Sequence, residues 1–273
     1  GGTNVQLGIG ERSLRKGLIR HAATLTPQLA LKVSAQYYTG QDWEYDDPAE
    51  RAARAANPEL VERDFDIKRQ SVEARLDYRP MDDLTAVLSY GYNSSDHIEM
   101  TGLGAGRADG WTYNYVQTRL LYRDWFAQYY HNWSDAGKTF LYQSGQPIID
   151  KSTLDVFQLQ HSAFLGTRQK FTYGVDALFT RPDTEGTITG NNEDDDGIDE
   201  YGAYLQSETE LTPDLDLVLA LRYDDHNRLE DGEISPRAAL LYKPTETQTF
   251  RLTYNRAFST PNRSSSDAFA GSP

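Results

Sequence analysis

The feature of this sequence that most restricts its fold is an alternation of apolar and polar side chains with a period of two residues. In residues 215–223 the odd positions are apolar or aromatic, and the even positions include Asp216 and Arg222. Two further segments repeat the pattern, residues 71–78 and 250–255. Successive side chains of a β-strand point to opposite faces, so each segment predicts a strand with one apolar and one polar face. A helix would spread the same charges around its circumference.

Hydropathy excludes membrane-spanning helices but permits membrane-spanning strands. The 273 residues are 38% hydrophobic, with a mean hydropathy of -0.67, which leaves little material for a thick core. The sequence has no run of the roughly 18 to 20 apolar residues that a spanning helix needs, whereas a strand crosses with about 9 to 11. A closed barrel satisfies its backbone hydrogen bonds in lipid. The alternating segments therefore predict the wall of a membrane β-barrel, with membrane lipid as one partner.

Charge and cysteine content narrow the possible functions. The net charge of -14 at pH 7 argues against a nucleic-acid partner, whose phosphates require a basic surface. The absence of cysteine excludes disulfide bonds and thiolate metal sites. The first residues, Gly1-Gly2-Thr3, show no signal-peptide pattern, so we expect the numbering to begin inside a larger protein.

The sequence predicts an all-β, antiparallel up-and-down sheet of about thirteen strands, part of a larger barrel. The predicted strands are residues 4–10, 18–25, 29–38, 70–78, 84–92, 113–122, 125–133, 154–165, 170–180, 201–210, 215–223, 236–242 and 249–256. Short turns rich in Pro and Asp alternate with long polar loops, which are residues 39–69, 93–112, 134–153, 181–200 and 224–235. Outer-membrane barrels place short turns in the periplasm and long loops outside the cell.

One long loop contains a helix signal. Asp47 is a candidate N-cap, Pro48 suits the first helical position, and an alanine-rich run ends at Asn57-Pro58. We expect a short surface helix in the loop 39–69.

Aromatic residues gather where predicted strands end. They are Tyr78, Tyr92, Tyr122, Trp125, Trp133, Tyr223, Tyr242 and Tyr254. Amphipathic rings prefer the level of the lipid headgroups, so these residues predict aromatic girdles; the strand propensity of Tyr is the alternative explanation.

Two stretches of the chain resemble TonB-dependent outer-membrane receptors. Residues 8–22 and 30–43 are similar to the first hairpin of that barrel, and residues 234–244 followed by 251–262 are similar to a later strand pair that leads to an external loop. The resemblance spans almost the whole chain. It implies one domain, residues 1–273, that is a partial barrel without the plug domain and without the C-terminal strands of a barrel of about 22 strands.

The resemblance also implies a function and partners. Such receptors lie in the outer membrane of Gram-negative bacteria and take up a scarce nutrient, such as a siderophore-type iron chelate, with energy supplied through TonB. The partners would be a small nutrient ligand and the TonB complex, the latter through an N-terminal part outside this chain. The Ser-rich stretch 264–266 would lie in an external loop.

Candidate ligand contacts follow from this function. Loop aromatics offer contact area at low entropic cost, and the candidates are Trp43, Tyr45, Trp111, Tyr113 and Tyr142. Packing within the loops is the alternative role for each ring. Four arginines are predicted to face the lumen, where they would contact an anionic chelate or the plug: Arg75, Arg119, Arg222 and Arg251. Pairing with acidic residues on neighbouring strands is the alternative for these side chains.

The sequence also contains a candidate calcium site and a histidine–serine pair. Asp194, Asp196 and Glu200 carry oxygen ligands in an acidic loop, which makes Ca²⁺ a candidate cofactor, although the loop lacks the twelve-residue calcium pattern and a solvated acidic loop is the alternative. The adjacent His161 and Ser162 would point to opposite faces of a strand. The sequence thus shows no catalytic set, and we expect a protein that is not an enzyme.

Two other functions share the same wall. A passive porin or an outer-membrane adhesin would lack the plug domain and the energy coupling. The identity of the nutrient depends on loop shapes, which the sequence does not specify.

Overall fold

A computed structural model of the protein describes residues 1–102, 104–188 and 190–258. The strands in these residues are β1 (Gly2–Ile9), β2 (Arg15–Thr26), β3 (Leu29–Gln41), β4 (Asp66–Met81), β5 (Leu84–Thr101), β6 (Gly104–Tyr122), β7 (Trp125–Asp135), β8 (Phe140–Leu141), β9 (Thr153–Leu165), β10 (Gln169–Arg181), β11 (Ile198–Thr212), β12 (Leu215–His226), β13 (Glu233–Thr245) and β14 (Gln248–Asn255). The α-helix is α1 (Pro48–Ala56), and Gly190–Asp195 form a 3-10 helix. Neither helix of this described part is long and apolar enough to cross a membrane.

The strand order in the sheet follows the order in the chain, with the short strand β8 added beside β6. The ladders from β1 to β7 and from β11 to β14 are antiparallel. The predicted antiparallel up-and-down sheet is therefore confirmed, and each of the thirteen predicted strands corresponds to a strand of the structure. The two-residue strand β8 is the addition.

Contacts divide the chain into two compact units. The first unit comprises Gly1–Leu159 and Ala177–Asp199, and the second comprises Gln160–Asp176 and the residues from Glu200 onward. Three strands, β9 to β11, contribute residues to both units.

The strand registers of the first unit separate its side chains into two faces. One row across β2 to β5, on what we call the apolar face, consists of Ile19, Ala35, Val72 and Tyr92. The adjacent row, on the polar face, consists of Arg20, Ser34, Glu73 and Gly91. The second unit shows the same division. One row across β12 to β14, on the apolar face, consists of Leu219, Ala238 and Tyr254. Arg237 is the neighbour of Ala238 in β13 and therefore lies on the opposite, polar face.

Large apolar side chains of the apolar face are exposed to the surroundings. Leu219 is 48% exposed, Leu221 is 52% exposed and Leu252 is 75% exposed. The aromatic residues at the strand ends, including Tyr78, Trp125, Tyr223, Tyr242 and Tyr254, are exposed as well. Soluble proteins rarely expose so much contiguous apolar surface, whereas a barrel wall exposes it to lipid. The registers place these aromatic residues on the apolar face, as girdles require.

The prediction that residues 93–112 form a long loop is wrong. Strand β5 continues to Thr101 and β6 begins at Gly104, so the two strands form one long hairpin. Residues 93–112 lack the apolar alternation of the wall, which is why the sequence suggested a loop. Antiparallel hydrogen bonds hold the hairpin without that alternation, and Gly104 supplies a φ of 124° at its tip. Trp111, expected in that loop, therefore lies in β6, together with Tyr113, which is the first residue of the predicted strand 113–122.

The predicted surface helix is confirmed as α1. The side chain of Asp47 accepts a hydrogen bond from the backbone N–H of Ala49 at 2.8 Å, and Pro48 opens the first turn. At the other end the N–H of Asn57 donates to the carbonyl of Ala53. The predicted motif end at 259–262 and the Ser-rich stretch 264–266 lie outside the described residues.

A charge placed on the apolar face tests the assignment of the two faces. We expect Val72→Lys to destabilise the folded, lipid-reconstituted full-length protein by about 2–4 kcal/mol, because Lys on the lipid side of a barrel loses its hydration. Urea unfolding in lipid vesicles, followed by tryptophan fluorescence, measures this change. The control is Ser71→Lys on the polar face, opposite the neutral Gln36 and Asn93, which we expect to cost far less. Equal costs for the two variants would contradict the assignment.

Candidate functional site

The long connections of the first unit and the outer part of the β5–β6 hairpin contact one another at the end of the strands opposite the short turns. We call the described residues of segments 42–65, 94–111, 136–152 and 182–197 the loop assembly. The backbone N–H of Tyr142 donates to Ala105 at 3.0 Å, and the N–H of Ile149 donates to Thr187 Oγ1 at 2.9 Å. The N–H of Lys151 also donates to the carbonyl of Asp183. These hydrogen bonds connect the last three of the four segments.

A buried ion pair fastens α1 to the end of its own segment. Arg63 donates from Nε and Nη2 to the two carboxylate oxygens of Glu50, at 2.8 and 2.7 Å. The Arg63 side chain is 9% exposed and the Glu50 side chain 4% exposed. The hydrogen bond with Glu50 raises the pKa of Arg63. Such bidentate, charge-assisted pairs fix both distance and orientation, so α1 has one position relative to Arg63.

Tyr142 and Arg107 join the segment 42–65 to the β6–β8 pair. The backbone N–H of Asp64 donates to the Tyr142 hydroxyl at 3.0 Å. Arg107 donates from Nη1 to the carbonyls of Asp64 and Asp66, and its Nη2 lies 2.6 Å from the Asp64 carboxylate. Tyr142 is 1% exposed, and burial raises the pKa of its phenol. Its ring packs within the loops, so it offers no surface to a ligand in this structure.

The other nominated rings lie in different surroundings. Trp43 is 76% exposed and Tyr45 is 58% exposed, both in the segment that precedes α1. Tyr113 is half exposed on the polar face of β6, opposite Asn93. The indole N–H of Trp111 is buried without a hydrogen-bond partner among the described residues. Trp43 and Tyr45 are therefore the nominated rings that the loop assembly presents.

An open cavity of about 400 Å³ lies beside Tyr45. It is lined by Glu44, Tyr45, Asp46, Asp47, Glu50, Arg54, Glu62, Arg63 and Phe65. The guanidinium carbon of Arg63 lies 5.4 Å from the centre of the Tyr45 ring. Both members of the buried ion pair therefore line this cavity, and the Arg63 guanidinium lies beside the Tyr45 ring.

Arginines on the polar face of the first unit have acidic neighbours. Arg75 donates to both carboxylate oxygens of Asp77, at 2.7 and 2.9 Å, and Lys32 pairs with Glu73 at 2.9 Å. Arg119 lies on the same face, and its Nε is buried without a hydrogen-bond partner in the described part of the chain. Arg75 thus pairs with an acidic residue of its own strand, β4, whereas the alternative role had named acidic residues of neighbouring strands.

In the second unit, Arg222 donates to both oxygens of Asp176 at 2.8 Å and also pairs with Asp224. Arg251 donates from Nε to Thr253 Oγ1 at 3.0 Å and is exposed. Arg222 is therefore held on the polar face by two carboxylates, while Arg251 has a neutral partner.

A smaller cavity of about 190 Å³ lies on the polar face of the first unit. Polar groups of Ser34, Gln36, Ser71 and Asn93 help to line it, and the ring of Tyr115 covers one side. A Cβ atom at Gly91 would lie 2.1 Å from that ring, so only glycine lets Tyr115 lie flat across β5. Sequence reasoning missed this cavity, since nothing local in the sequence pairs Gly91 with Tyr115.

The predicted calcium ligands are not gathered into a site. Asp194 is exposed in the 3-10 helix, Asp196 is 4% exposed, and Glu200 lies in β11. The described residues contain no group of three His, Cys, Asp or Glu side chains that could hold a metal ion. Glu193, which was not nominated, instead accepts hydrogen bonds from the backbone N–H groups of Glu185 and Gly186. A carboxylate thus organises this loop, and calcium binding stays a prediction.

Comparison with protein families now identifies the wall. The family model described as TonB dependent receptor-like, beta-barrel, matches residues 23–272. The chain belongs to this family. A search of curated proteins gave no match. The antiparallel sheet with its short turns and long connections is thus part of the β-barrel of a TonB-dependent receptor.

Solved structures of receptors share this fold. The FrpB iron transporter of Neisseria meningitidis is 11% identical, with a TM-score of 0.68 over 93% of this chain and 46% of that protein. The siderophore receptor PirA of Pseudomonas aeruginosa is 14% identical, with a TM-score of 0.65 over 96% and 45%. A mutant of the ferric enterobactin receptor PfeA, also of Pseudomonas aeruginosa, is 14% identical, with a TM-score of 0.60 over 95% of this chain and 44% of that protein. The chain spans less than half the length of these receptors.

Loss of the buried ion pair tests the architecture of the loop assembly. We expect Arg63→Gln to destabilise the packed position of α1 by about 3–5 kcal/mol, because it leaves the buried Glu50 carboxylate without its cation. Hydrogen exchange of the α1 amides in the full-length receptor measures the change. Arg51→Gln is the control, since the Arg51 side chain is 65% exposed and surface pairs contribute about 0–1 kcal/mol. Equal protection of α1 in the two variants would contradict the role of Arg63.

Proposed function

We propose that this chain is part of an outer-membrane receptor that takes up a scarce nutrient, such as a siderophore-type iron chelate, with energy supplied through TonB. The family match over residues 23–272 is the observation that carries the proposal. The solved relatives named as siderophore receptors or iron transporters support an iron chelate as the ligand class. The full receptor would lie in the outer membrane of a Gram-negative bacterium.

The two faces of the sheet give each part of the wall a role. The apolar face contacts lipid, and its end aromatics lie at the headgroup level. The polar face lines the lumen, where Arg75 and Arg222 are held by carboxylates. The loop assembly lies outside the cell, so an arriving ligand meets Trp43 and Tyr45 before it reaches Tyr113 on the polar face. The nutrient is carried unchanged.

Contact with the exposed rings gives the first test of ligand capture. We expect Trp43→Ala to weaken binding of a ferric siderophore chelate by about tenfold, since exposed aromatic anchors often contribute more than 1 kcal/mol to an interface. Fluorescence titration of the full-length receptor in detergent measures the affinity. The control is Trp125→Ala, because Trp125 lies beside a short turn at the other end of the strands. An unchanged affinity in Trp43→Ala would remove this ring from the binding surface.

Energy dependence distinguishes the receptor from a porin or an adhesin. Cells that make no siderophore of their own would express the full-length protein and receive chelates loaded with radioactive iron. We expect accumulation in cells with an intact TonB system, and loss of accumulation in a TonB deletion strain or after addition of a protonophore. Uptake that is equal with and without TonB would indicate a passive porin. Surface binding without uptake of any chelate would indicate an adhesin.

A further inference from the structure

The loop assembly carries most of the net charge of the chain. Its four segments contain eighteen Asp and Glu residues and six Lys and Arg residues, a difference of twelve negative charges out of the net -14 of the whole chain. Segment 42–65 alone has eight acidic and three basic residues, and segment 182–197 has six acidic and no basic residues. The region that meets the ligand first is therefore strongly negative.

Five of the six basic residues of the loop assembly pair with carboxylates. Arg63 pairs with Glu50 at 2.7 Å, and Lys151 pairs with Glu185 at 2.8 Å. Arg107 pairs with Asp64 at 2.6 Å, and Arg51 and Arg54 both lie near Asp46. Among the described residues the remaining basic residue is Lys138. Acidic side chains without an ion pair are exposed at positions that include Glu44, Glu59, Glu62 and Asp194. Part of the charge surplus thus consists of exposed carboxylates.

The exposed rings of the assembly already hold cationic groups of the protein. The guanidinium carbon of Arg12 lies 4.5 Å from the centre of the Trp43 ring. The guanidinium of Arg63 lies beside Tyr45, as described above. Residues 42–46 alternate carboxylates with these two rings. Aromatic faces flanked by carboxylates are the groups that bind organic cations in proteins.

From the charge surplus and the cation-holding rings, we infer that the loop assembly selects a nutrient chelate of net positive charge and disfavours polyanionic chelates. The inference rests on the proposed function, because it specifies the ligand class of the same receptor. A surface of one charge sign raises the local concentration and the association rate of oppositely charged ligands, and the effect falls with ionic strength. A free ammonium group on the organic scaffold of the chelate would meet Glu44 and the rings of Trp43 and Tyr45.

Two probes of opposite charge test the inference on the full-length receptor. One is a ferric trihydroxamate that carries a free ammonium group, and the other is a ferric tris-catecholate, which is a polyanion. We expect faster association and TonB-dependent import of the cationic probe, with an association rate that falls as salt is added. The polyanionic probe should associate slowly, and its association should accelerate with salt.

Removal of exposed carboxylates provides the matched comparison. The variant combines Glu44→Gln, Glu59→Gln, Glu62→Gln and Asp194→Asn. We expect its association rate for the cationic probe to fall by about tenfold at low salt, in the range of electrostatic steering. The control removes four negative charges at the short turns with Asp82→Asn, Asp124→Asn, Asp214→Asn and Glu246→Gln, and should leave the rate unchanged.

The outcomes separate this inference from the proposed function. Energised import of the polyanionic probe in preference to the cationic probe would overturn the charge selectivity and leave the transporter function intact. An equal fall in rate in the two four-residue variants would also overturn the role of the loop assembly. A failure of TonB-dependent import for both probes would overturn the proposed uptake of iron chelates, and the charge selectivity with it.

Discussion

This structure depends on one constraint, which is that membrane lipid offers the protein backbone no hydrogen-bond partners. In lipid every N–H and C=O group must be paired within the protein, and an up-and-down ladder of antiparallel strands pairs them without helices. The pleat of each strand then sends alternate side chains to opposite faces. The row Ile19, Ala35, Val72 and Tyr92 and its polar neighbour Arg20, Ser34, Glu73 and Gly91 are the direct result of that geometry.

Beyond the membrane-crossing part of the strands, different interactions stabilise the loops. Water is accessible there, so the backbone groups of the loops need not all pair within a β-sheet. Charged side chains position the loop segments instead. The Glu50–Arg63 pair fixes α1, while Tyr142 and Arg107 connect Asp64 to the β6–β8 pair. This arrangement keeps Trp43 and Tyr45 exposed although the segment around them is packed. A rigid support for exposed rings lowers the entropy lost when a ligand binds.

The sequence predicted the wall much better than the loops, for a physical reason. Alternation in β12 and the cap of α1 at Asp47 are local patterns, so both are visible in a few adjacent residues. The hairpin extension of β5 and β6 lacks a local apolar signal, so the sequence predicts a loop there. Tyr142 is a candidate ligand contact as a loop aromatic, and the sequence cannot show that its ring is buried, since its partner Asp64 lies 78 residues away and no local pattern links the two. Long-range polar contacts of this kind appear only in the folded chain.

The central claim is that alternate residues of each strand face lipid and water, and site-directed labelling tests it most directly. The chain contains no cysteine, so single cysteines at successive positions 215–223 of β12 accept a spin label without competing sites in this chain. In the full-length receptor reconstituted in lipid, collisions with lipid-soluble oxygen and with a water-soluble nickel chelate are then compared at each position. The two-faced wall predicts high oxygen accessibility at odd positions, such as 217, 219 and 221, and high nickel accessibility at even positions. Accessibility without a period of two residues would contradict it.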